Sequence, residues 1–167
     1  MGSALIAGLL FKMALESARI AEQNDRETFL SLFGASRNEI VDHKGADLWE
    51  RTKALTGTSS EVFEIVSRHK DFICILGTYD DYPFGFLIAE WVAIYDKKSL
   101  DIREVFVDSE MRSVGIGEAM MLMLLEQAEK SAAFSIVARA LPGDRELKNF
   151  FERYKITARI IEVERKL

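Results

Sequence analysis

The chain has 167 residues, of which 49% are hydrophobic and 29% are charged. This length and composition are typical of one globular domain and exclude disordered, collagen-like and coiled-coil proteins. The formal net charge of −5 argues against a nucleic-acid partner, because such partners select a basic surface. The single cysteine, Cys74, cannot form an intramolecular disulfide or a cysteine zinc site, so we expect a cytoplasmic protein without a metal ion.

The start of the chain is apolar, but the apolar run is short. The run from Ala4 to Phe11 is much shorter than the roughly 20 residues that cross a bilayer. No basic residue precedes this run, as one would in a signal peptide. We therefore predict no membrane partner, and we interpret residues 1–12 as an N-terminal extension and residues 13–167 as a single domain.

The first 70 residues are mainly helical in pattern. They predict a strand at 13–22, a helix capped by Asn24 or Asp25 that ends near Gly34, a second helical stretch after Ser36 that Gly45 breaks, and a helix at 61–68. The caps and the glycines are the start and stop signals on which these bounds depend.

The pattern changes to strands after residue 71. In chain order it predicts β-rich runs at 72–76 and 84–95 that form a hairpin, a strand at 100–107, a helix at 115–130, a strand at 134–141, a helix ending near Tyr154, and a strand at 156–163. This order predicts an α/β (α+β) domain of three layers, with helices flanking a mixed sheet. The strands on either side of the 115–130 helix should be parallel, because a crossover joins them.

The most informative segment is the junction between the strand at 100–107 and the helix that follows. Gly115 and Gly117 leave backbone N–H groups unobstructed there, and a helix N-terminus adds about half a positive charge. Such a junction suits an anion, for example a pyrophosphate. The segment lacks the Gly-Lys-Ser/Thr of a Walker loop and the third glycine of the dinucleotide fingerprint.

The spacing Val107-Asp108-x-x-x-Arg112-x-x-Gly115-Ile116-Gly117 resembles the coenzyme A signature of the GCN5-related N-acetyltransferase (GNAT) superfamily. The resemblance implies a mostly antiparallel mixed sheet whose central parallel strands are splayed to admit acetyl-CoA. It also implies that Val105 N–H donates to the thioester carbonyl. The residues that it implies for cofactor binding are Val105, Phe106 and Val107 along the pantetheine arm, and Arg112, Ser113, Val114, Gly115, Ile116, Gly117 and Glu118 at the pyrophosphate.

A pattern within the strand at 100–107 predicts a β-bulge independently of the resemblance. Its apolar residues are even-numbered at Leu100 and Ile102 and odd-numbered at Val105 and Val107. A regular strand cannot place all four side chains on one face, whereas one extra residue near 103–104 can. The alternative is an edge strand with an imperfect pattern.

Acetyl transfer to an amine needs a base, because a lysine-like amine has a pKa of about 10.4. Asp101 and Glu104 are the candidates on the bulged strand, and Glu90 lies in the strand before it. The alternative for each acid is a solvated charge on the strand. Arg103 departs from the family pattern: it cannot act as a base, but it can bind a carboxylate on the substrate.

The leaving thiolate needs a proton, and the family usually supplies it from a tyrosine early in the last helix. Phe151 occupies that position here and has no proton to give. Tyr154, nearly one helical turn later, is the candidate acid, with a packing role as the alternative. If Tyr154 only packs, solvent supplies the proton.

The sequence therefore predicts an N-acetyltransferase that uses acetyl-CoA, has no metal ion, and acts on a small-molecule or peptide amine by direct attack in a ternary complex. The alternatives are a non-catalytic acyl-CoA-binding or sensor domain and an unrelated phosphate-binding α/β protein. Trp49 and residues 43–47 are candidates for the acceptor pocket. The methionine-rich helix at 115–130 is apolar nearly all round, which predicts burial, with a homodimer contact as a second interpretation.

Overall fold

The computed structural model describes residues 14–167, so the predicted extension at 1–12 lies outside the described residues. The helices are α1 (Arg26–Ile40), α2 (Ala46–Thr52), α3 (Ser59–Arg68), α4 (Ile116–Lys130) and α5 (Arg145–Arg153). The strands are β1 (Glu16–Ile20), β2 (Phe72–Tyr79), β3 (Tyr82–Ile94), β4 (Lys97–Val107) and β5 (Ile136–Val137). No helix within residues 14–167 has the length and apolar character that crossing a membrane requires.

The strands form one mixed sheet in the order β1-β2-β3-β4-β5. The first three pairings are antiparallel, whereas β4 and β5 are parallel. Helix α4 joins these two parallel strands, as the crossover in the sequence predicts. The predicted fold class, helices flanking a mixed and mostly antiparallel sheet, is confirmed.

Alternation along the strands divides the core into two clusters, one on each face of the sheet. On β2, Cys74 and Leu76 face the first cluster, and Ile75 faces the second. The first cluster receives aromatic and β-branched side chains of α1 and α3: Phe29, Phe33, Val62, Phe63 and Val66. The second receives side chains of α4 and α5: Ile116, Met120, Met121, Leu124 and Phe151. The helices therefore form the two outer layers, as predicted.

Cys74 belongs to the first cluster and is buried. Burial, with a smaller contribution from the charge of Asp25, raises the pKa of its thiol to about 12. A thiol in this setting is a small core side chain rather than a nucleophile.

Helix α1 does not end near Gly34, and that prediction is wrong. The helix continues to Ile40 and includes the start of the predicted second helix. Glycine in a helix interior costs about 0.5–1 kcal/mol, but Phe29, Leu32 and Phe33 are buried against the sheet and outweigh this cost. The predicted break at Gly45 is confirmed, because this residue has a φ of +83° and precedes α2.

The predicted strand at 156–163 is also wrong. Among the described residues this segment pairs with no strand, and Ile160 and Ile161 are 85% and 86% exposed. It lies instead beside α2, where Glu164 is 3.1 Å from Arg51 and Glu162 is 3.4 Å from Lys53. Strand β5 is shorter than the predicted 134–141. Its two residues offer too short an edge for another strand to pair with.

Replacement of Gly34 by alanine should stabilise the protein. None of the described residues outside its own helix would lie within 4 Å of a Cβ at this position. The free energy of unfolding, measured by urea denaturation, should therefore rise by about 0.5–1 kcal/mol. The matched control is Gly77→Ala, whose Cβ would lie 2.5 Å from Ile116 Cγ2 and should destabilise. A loss of stability in Gly34→Ala would contradict this interpretation.

Candidate functional site

A β-bulge interrupts the pairing of β3 with β4. Ile88 lies opposite Glu104 and Ala89 lies opposite Ile102, which leaves Arg103 as an extra residue. The bulge predicted at 103–104 is therefore confirmed. On both sides of it, one face of β4 packs into the second core cluster through four apolar side chains: Leu100, Ile102, Val105 and Val107.

Strands β4 and β5 diverge next to the bulge. They pair only at Leu100 with Ile136 and at Asp101 with Val137. Just before the divergence, Leu100 N–H donates to Ser135 O at 2.9 Å, on the β5 side of the strand. Beyond residue 101, β4 no longer pairs with β5, and we call the space between residues 102–107 and the chain that follows β5 the gap.

The bulge also decides which backbone amides face this gap. Asp108 N–H donates to Phe84 O on the β3 side at 2.8 Å. Because successive amides of a strand point to opposite sides, Val107 N–H and Val105 N–H point away from β3 and into the gap. Without the extra residue, the even-numbered amides after Leu100 would face that side, as the amide of Leu100 does, and those of Val105 and Val107 would point toward β3.

The turn from β4 into α4 presents a group of free amides, which we call the amide loop (residues 112–118). Ser113 and Gly115 have left-handed φ values of +67° and +99°. Within the part of the chain that the structure describes, no acceptor takes a hydrogen bond from these amides. Because α4 begins at Ile116, its N-terminal positive charge adds to them. Such an arrangement binds anions.

Side chains hold the amide loop in place. Arg112 Nε donates to Val107 O at 2.9 Å, and its Nη2 donates to both carboxylate oxygens of Glu39 at 2.7 Å. Glu118 pairs with Arg153 at 3.0 Å. The Arg112 side chain therefore ties the loop to β4 and to α1, and the backbone remains available for a ligand.

A cleft opens at the bulge, between α1 and α2 on one side and α5 on the other. It contains both predicted acceptor and cofactor residues, including Glu104, Val105 and Trp49. Among residues 14–167, the cleft is lined by Ser36, Ile40, Trp49, Ile102, Arg103, Glu104, Val105, Arg139, Leu141, Asp144, Leu147 and Phe151. His43 Nδ1 lies 4.0 Å from Asp144 Oδ2, at the edge of this cleft.

Glu104 forms a buried ion pair with Arg37 of α1. The two Nη atoms of Arg37 each donate to one carboxylate oxygen at 2.6 Å. The guanidinium also lies over the rings of Phe33 and Trp49, at 4.2 Å and 5.0 Å from the ring centroids. Glu104 is therefore held in one orientation in the cleft. The sequence does not predict this contact, because no signal in it points to Arg37.

Asp101 and Arg103 are also paired. Arg139 Nη1 donates to both oxygens of Asp101 at 2.7 Å and 3.0 Å. Arg103 donates through Nη1 to Glu90 and through Nη2 to Lys53 O at 2.9 Å. Asp101 thus does not line the cleft itself but contacts Arg139, which does. Both Nη atoms of Arg103, the residue that the sequence suggested for a substrate carboxylate, therefore already donate to the protein.

Phe151, which occupies the position of the family's acid, and Tyr154, the candidate acid, lie in different places. Phe151 lines the cleft, whereas Tyr154 is not part of the lining and packs edge-on against Phe150, with ring centroids 5.4 Å apart. Burial raises the pKa of the Tyr154 hydroxyl, the charge of Glu118 raises it further, and Arg153 opposes them.

The chain is similar to a known family over most of its length. A family model described as the acetyltransferase (GNAT) family matches residues 37–155, a range that contains the bulge, the amide loop and α5. The chain therefore belongs to the GNAT family of acetyltransferases, and the resemblance inferred from the loop is confirmed. Comparison with curated protein sequences finds no similar protein.

Solved structures share the fold at low sequence identity. Ribosomal-protein-alanine N-acetyltransferase from Brucella melitensis biovar Abortus 2308 has a TM-score of 0.65 at 15% identity, covering 91% of this chain and 97% of that chain. A tetramutant of BH1408 protein from Bacillus halodurans has a TM-score of 0.75 at 15% identity, with coverages of 90% and 99%. AAC(6')-Iy, in complex with the bisubstrate analog CoA-S-monomethyl-acetylneamine, has a TM-score of 0.67 at 12% identity, with coverages of 91% and 99%.

Loss of Arg37 should destabilise the protein, because it leaves the buried carboxylate of Glu104 without its cation. Arg37→Met is expected to lower the free energy of unfolding by about 3–5 kcal/mol, measured by urea denaturation. Adding Glu104→Leu to this variant should recover most of the loss, since the unpaired charge is then absent. The exposed Arg165 provides a control, Arg165→Met, which should change stability by less than about 0.5 kcal/mol. Equal losses in the single and double variants would contradict the ion-pair explanation.

Proposed function

We propose that the protein transfers an acetyl group from acetyl-CoA to a primary amine of a small molecule or peptide, by direct attack in a ternary complex. The observation that carries this proposal is the continuity of free amides from the gap beside β4 to the amide loop. A pantetheine arm joined to a diphosphate needs hydrogen-bond donors along an open strand edge and, next to them, an anion site at a helix N-terminus. When bound, acetyl-CoA supplies a thioester carbonyl that an amine can attack.

The backbone of this chain would hold that group. The loop residues Arg112, Ser113, Val114, Gly115, Ile116 and Gly117, with Glu118 at the start of α4, would donate their amides to the diphosphate. Val105, Phe106 and Val107 would lie along the pantetheine arm. The amide of Val105 would donate to the thioester carbonyl oxygen, where a backbone donor stabilises developing negative charge.

Glu104 is our candidate for accepting the proton of the amine, because it lines the cleft and Asp101 does not. Its ion pair with Arg37 uses one hydrogen bond on each oxygen, and Leu55 N–H donates to Oε1 at 3.4 Å. A carboxylate offers about four acceptor positions, so a water molecule can still bind between Glu104 and the amine. Asp101 is better suited to positioning, since both of its oxygens accept from Arg139.

The proton for the leaving thiolate has two candidate sources, Tyr154 and solvent. The position of Phe151 in the cleft, and of Tyr154 against Phe150, favours solvent. The same feature supports a second candidate function, a non-catalytic acyl-CoA-binding domain, because the cleft lining contains no tyrosine.

Structural neighbours indicate the range of acceptors to try. Their names include an alanine N-acetyltransferase of ribosomal protein and aminoglycoside acetyltransferases. Peptide N-termini and aminoglycosides therefore belong in the first acceptor panel, beside polyamines and amino acids. Because sequence identity to these proteins is 15–16%, the panel has to decide between these classes.

Acetyl-CoA should bind mainly through its nucleotide part, whose diphosphate the amide loop would hold. Isothermal titration should give an affinity at least about 100-fold higher for acetyl-CoA than for acetyl-pantetheine, which lacks the diphosphate and the phosphorylated adenosine, a difference of about 2.7 kcal/mol. Arg112→Gln should lower the affinity for acetyl-CoA about tenfold, because the loop loses its ties to Val107 and Glu39. Arg165→Gln is the control and should bind as the native protein does. No detectable binding of acetyl-CoA would rule out both proposed functions.

Kinetics of thiol release test the proton transfers. If solvent protonates the thiolate, Tyr154→Phe should leave kcat within about twofold of the native value, whereas Phe151→Tyr, which places a hydroxyl in the cleft, should raise it. Glu104→Gln should lower kcat by about 10²-fold or more. A large loss of kcat in Tyr154→Phe would assign the acid role to Tyr154. Unchanged turnover in Glu104→Gln would remove Glu104 as the base.

A further inference from the structure

The lining of the cleft contains two arginines, Arg103 and Arg139, at the point where β4 and β5 diverge. Arginine is well suited to recognising a carboxylate, because two of its parallel N–H groups match the two carboxylate oxygens. The hydrogen bonds that each guanidinium already makes decide whether it is available to a substrate.

Arg103 and the nearby Arg37 are committed to the protein. Arg37 uses both Nη atoms on Glu104. Arg103 uses one Nη on Glu90 and the other on Lys53 O. The Nη2 of each guanidinium therefore already donates to the protein, and a substrate carboxylate on its Nε–Nη2 edge would compete with Glu104 or with Lys53 O for that nitrogen.

Arg139 is different, because it uses only one nitrogen. Its Nη1 donates to both oxygens of Asp101, while Nε and Nη2 have no acceptor among residues 14–167. The Nε–Nη2 edge is one of the guanidinium edges that bind a carboxylate through two parallel hydrogen bonds. Asp101 is buried and lies on β4, so it fixes the guanidinium before any ligand arrives and lowers the cost of ordering it.

The position of Arg139 relates this free edge to the proposed reaction. Asp101, its partner, pairs with Val137 of β5 at the last point of contact between the strands. Arg139 and Val105 then line the same cleft, and Val105 N–H faces the gap. A small molecule whose carboxylate is held by Arg139 would therefore keep its amine close to the proposed thioester site.

We propose that the acceptor is an amine that also carries a carboxylate, of the amino-acid type, and that Arg139 binds this carboxylate. The proposal rests on the proposed acetyltransferase function and specifies its substrate class. In the transfer, the amine nitrogen forms a bond to the acetyl carbon and the carbon–sulfur bond breaks. The amine proton passes to Glu104 through water, and solvent protonates the thiolate, giving an N-acetyl amino acid and the free thiol.

The charges around the cleft agree with this substrate class. The carboxylates of Glu104, Glu90 and Asp101 each face an arginine, which leaves Asp144 as the carboxylate of the lining without one. A polyamine or an aminoglycoside needs several uncompensated carboxylates to replace its hydration. An amino acid brings one ammonium group and one carboxylate, and this cleft offers one partner for each.

The experiment compares acceptors that differ only by the carboxylate: lysine and cadaverine, phenylalanine and phenethylamine, tryptophan and tryptamine. In at least one pair, kcat/KM for thiol release should favour the acid about tenfold or more, because a site built for a charged group rejects an analogue that lacks it. In Arg139→Gln this preference should fall to about twofold or less, chiefly through KM, while affinity for acetyl-CoA is unchanged. Arg159→Gln, at an exposed position, is the matched control and should retain the preference.

A second variant and a binding measurement make the outcome decisive. Arg139→Lys keeps a cation beside Asp101 but lacks the two parallel donors, so it should also lose the preference even if Arg139→Gln does not fold. Titration of each pair into the protein, with and without CoA, reports carboxylate recognition independently of turnover. Tighter binding of the acid without thiol release would contradict the acetyltransferase function and support the role of Arg139. Equal affinity and equal kcat/KM within every pair, or a preference that survives in Arg139→Lys, would overturn the inference.

Discussion

The extra residue in β4 is the constraint on which the proposed site depends. A regular strand that buries Leu100 and Ile102 against α4 would turn Val105 and Val107 to the opposite face. The insertion of Arg103 into the strand keeps all four side chains on the α4 side. The same change of phase turns the amides of Val105 and Val107 toward the gap beside β5. Core packing and the open strand edge are therefore consequences of one local irregularity.

Arginines from other parts of the chain organise the charges around this gap. Glu104 is held by Arg37 of α1, and Asp101 is held by Arg139, which follows β5. Buried ion pairs of this kind add little net stability, but they fix the orientation of both partners. In this protein they connect α1 and the segment after β5 to the bulged strand. In the proposed function, backbone amides bind the cofactor and side chains recognise the acceptor.

Errors in the sequence-based fold arise where local signals and tertiary contacts disagree. Gly34 is a helix stop signal, yet the buried residues before it and the Arg37–Glu104 ion pair after it extend α1 beyond it. The segment at 156–163 has the composition of a strand, but β5 is too short to pair with it, and ion pairs place it beside α2. Conversely, the β2–β3 hairpin, the parallel crossover and the bulge follow from alternation and turn residues alone.

The sequence by itself determined the family, the three layers, the bulge and the amide loop. These features depend on residues close together in the chain, whose spacing reports backbone geometry directly. Only the tertiary structure decided which charges are paired, because Arg37 and Glu104, or Asp101 and Arg139, are far apart in the chain and meet across elements. It likewise decided that Phe151 lines the cleft while Tyr154 packs outside it. The position of a side chain in a site depends on how helices pack on the sheet, and spacing along one element does not encode that.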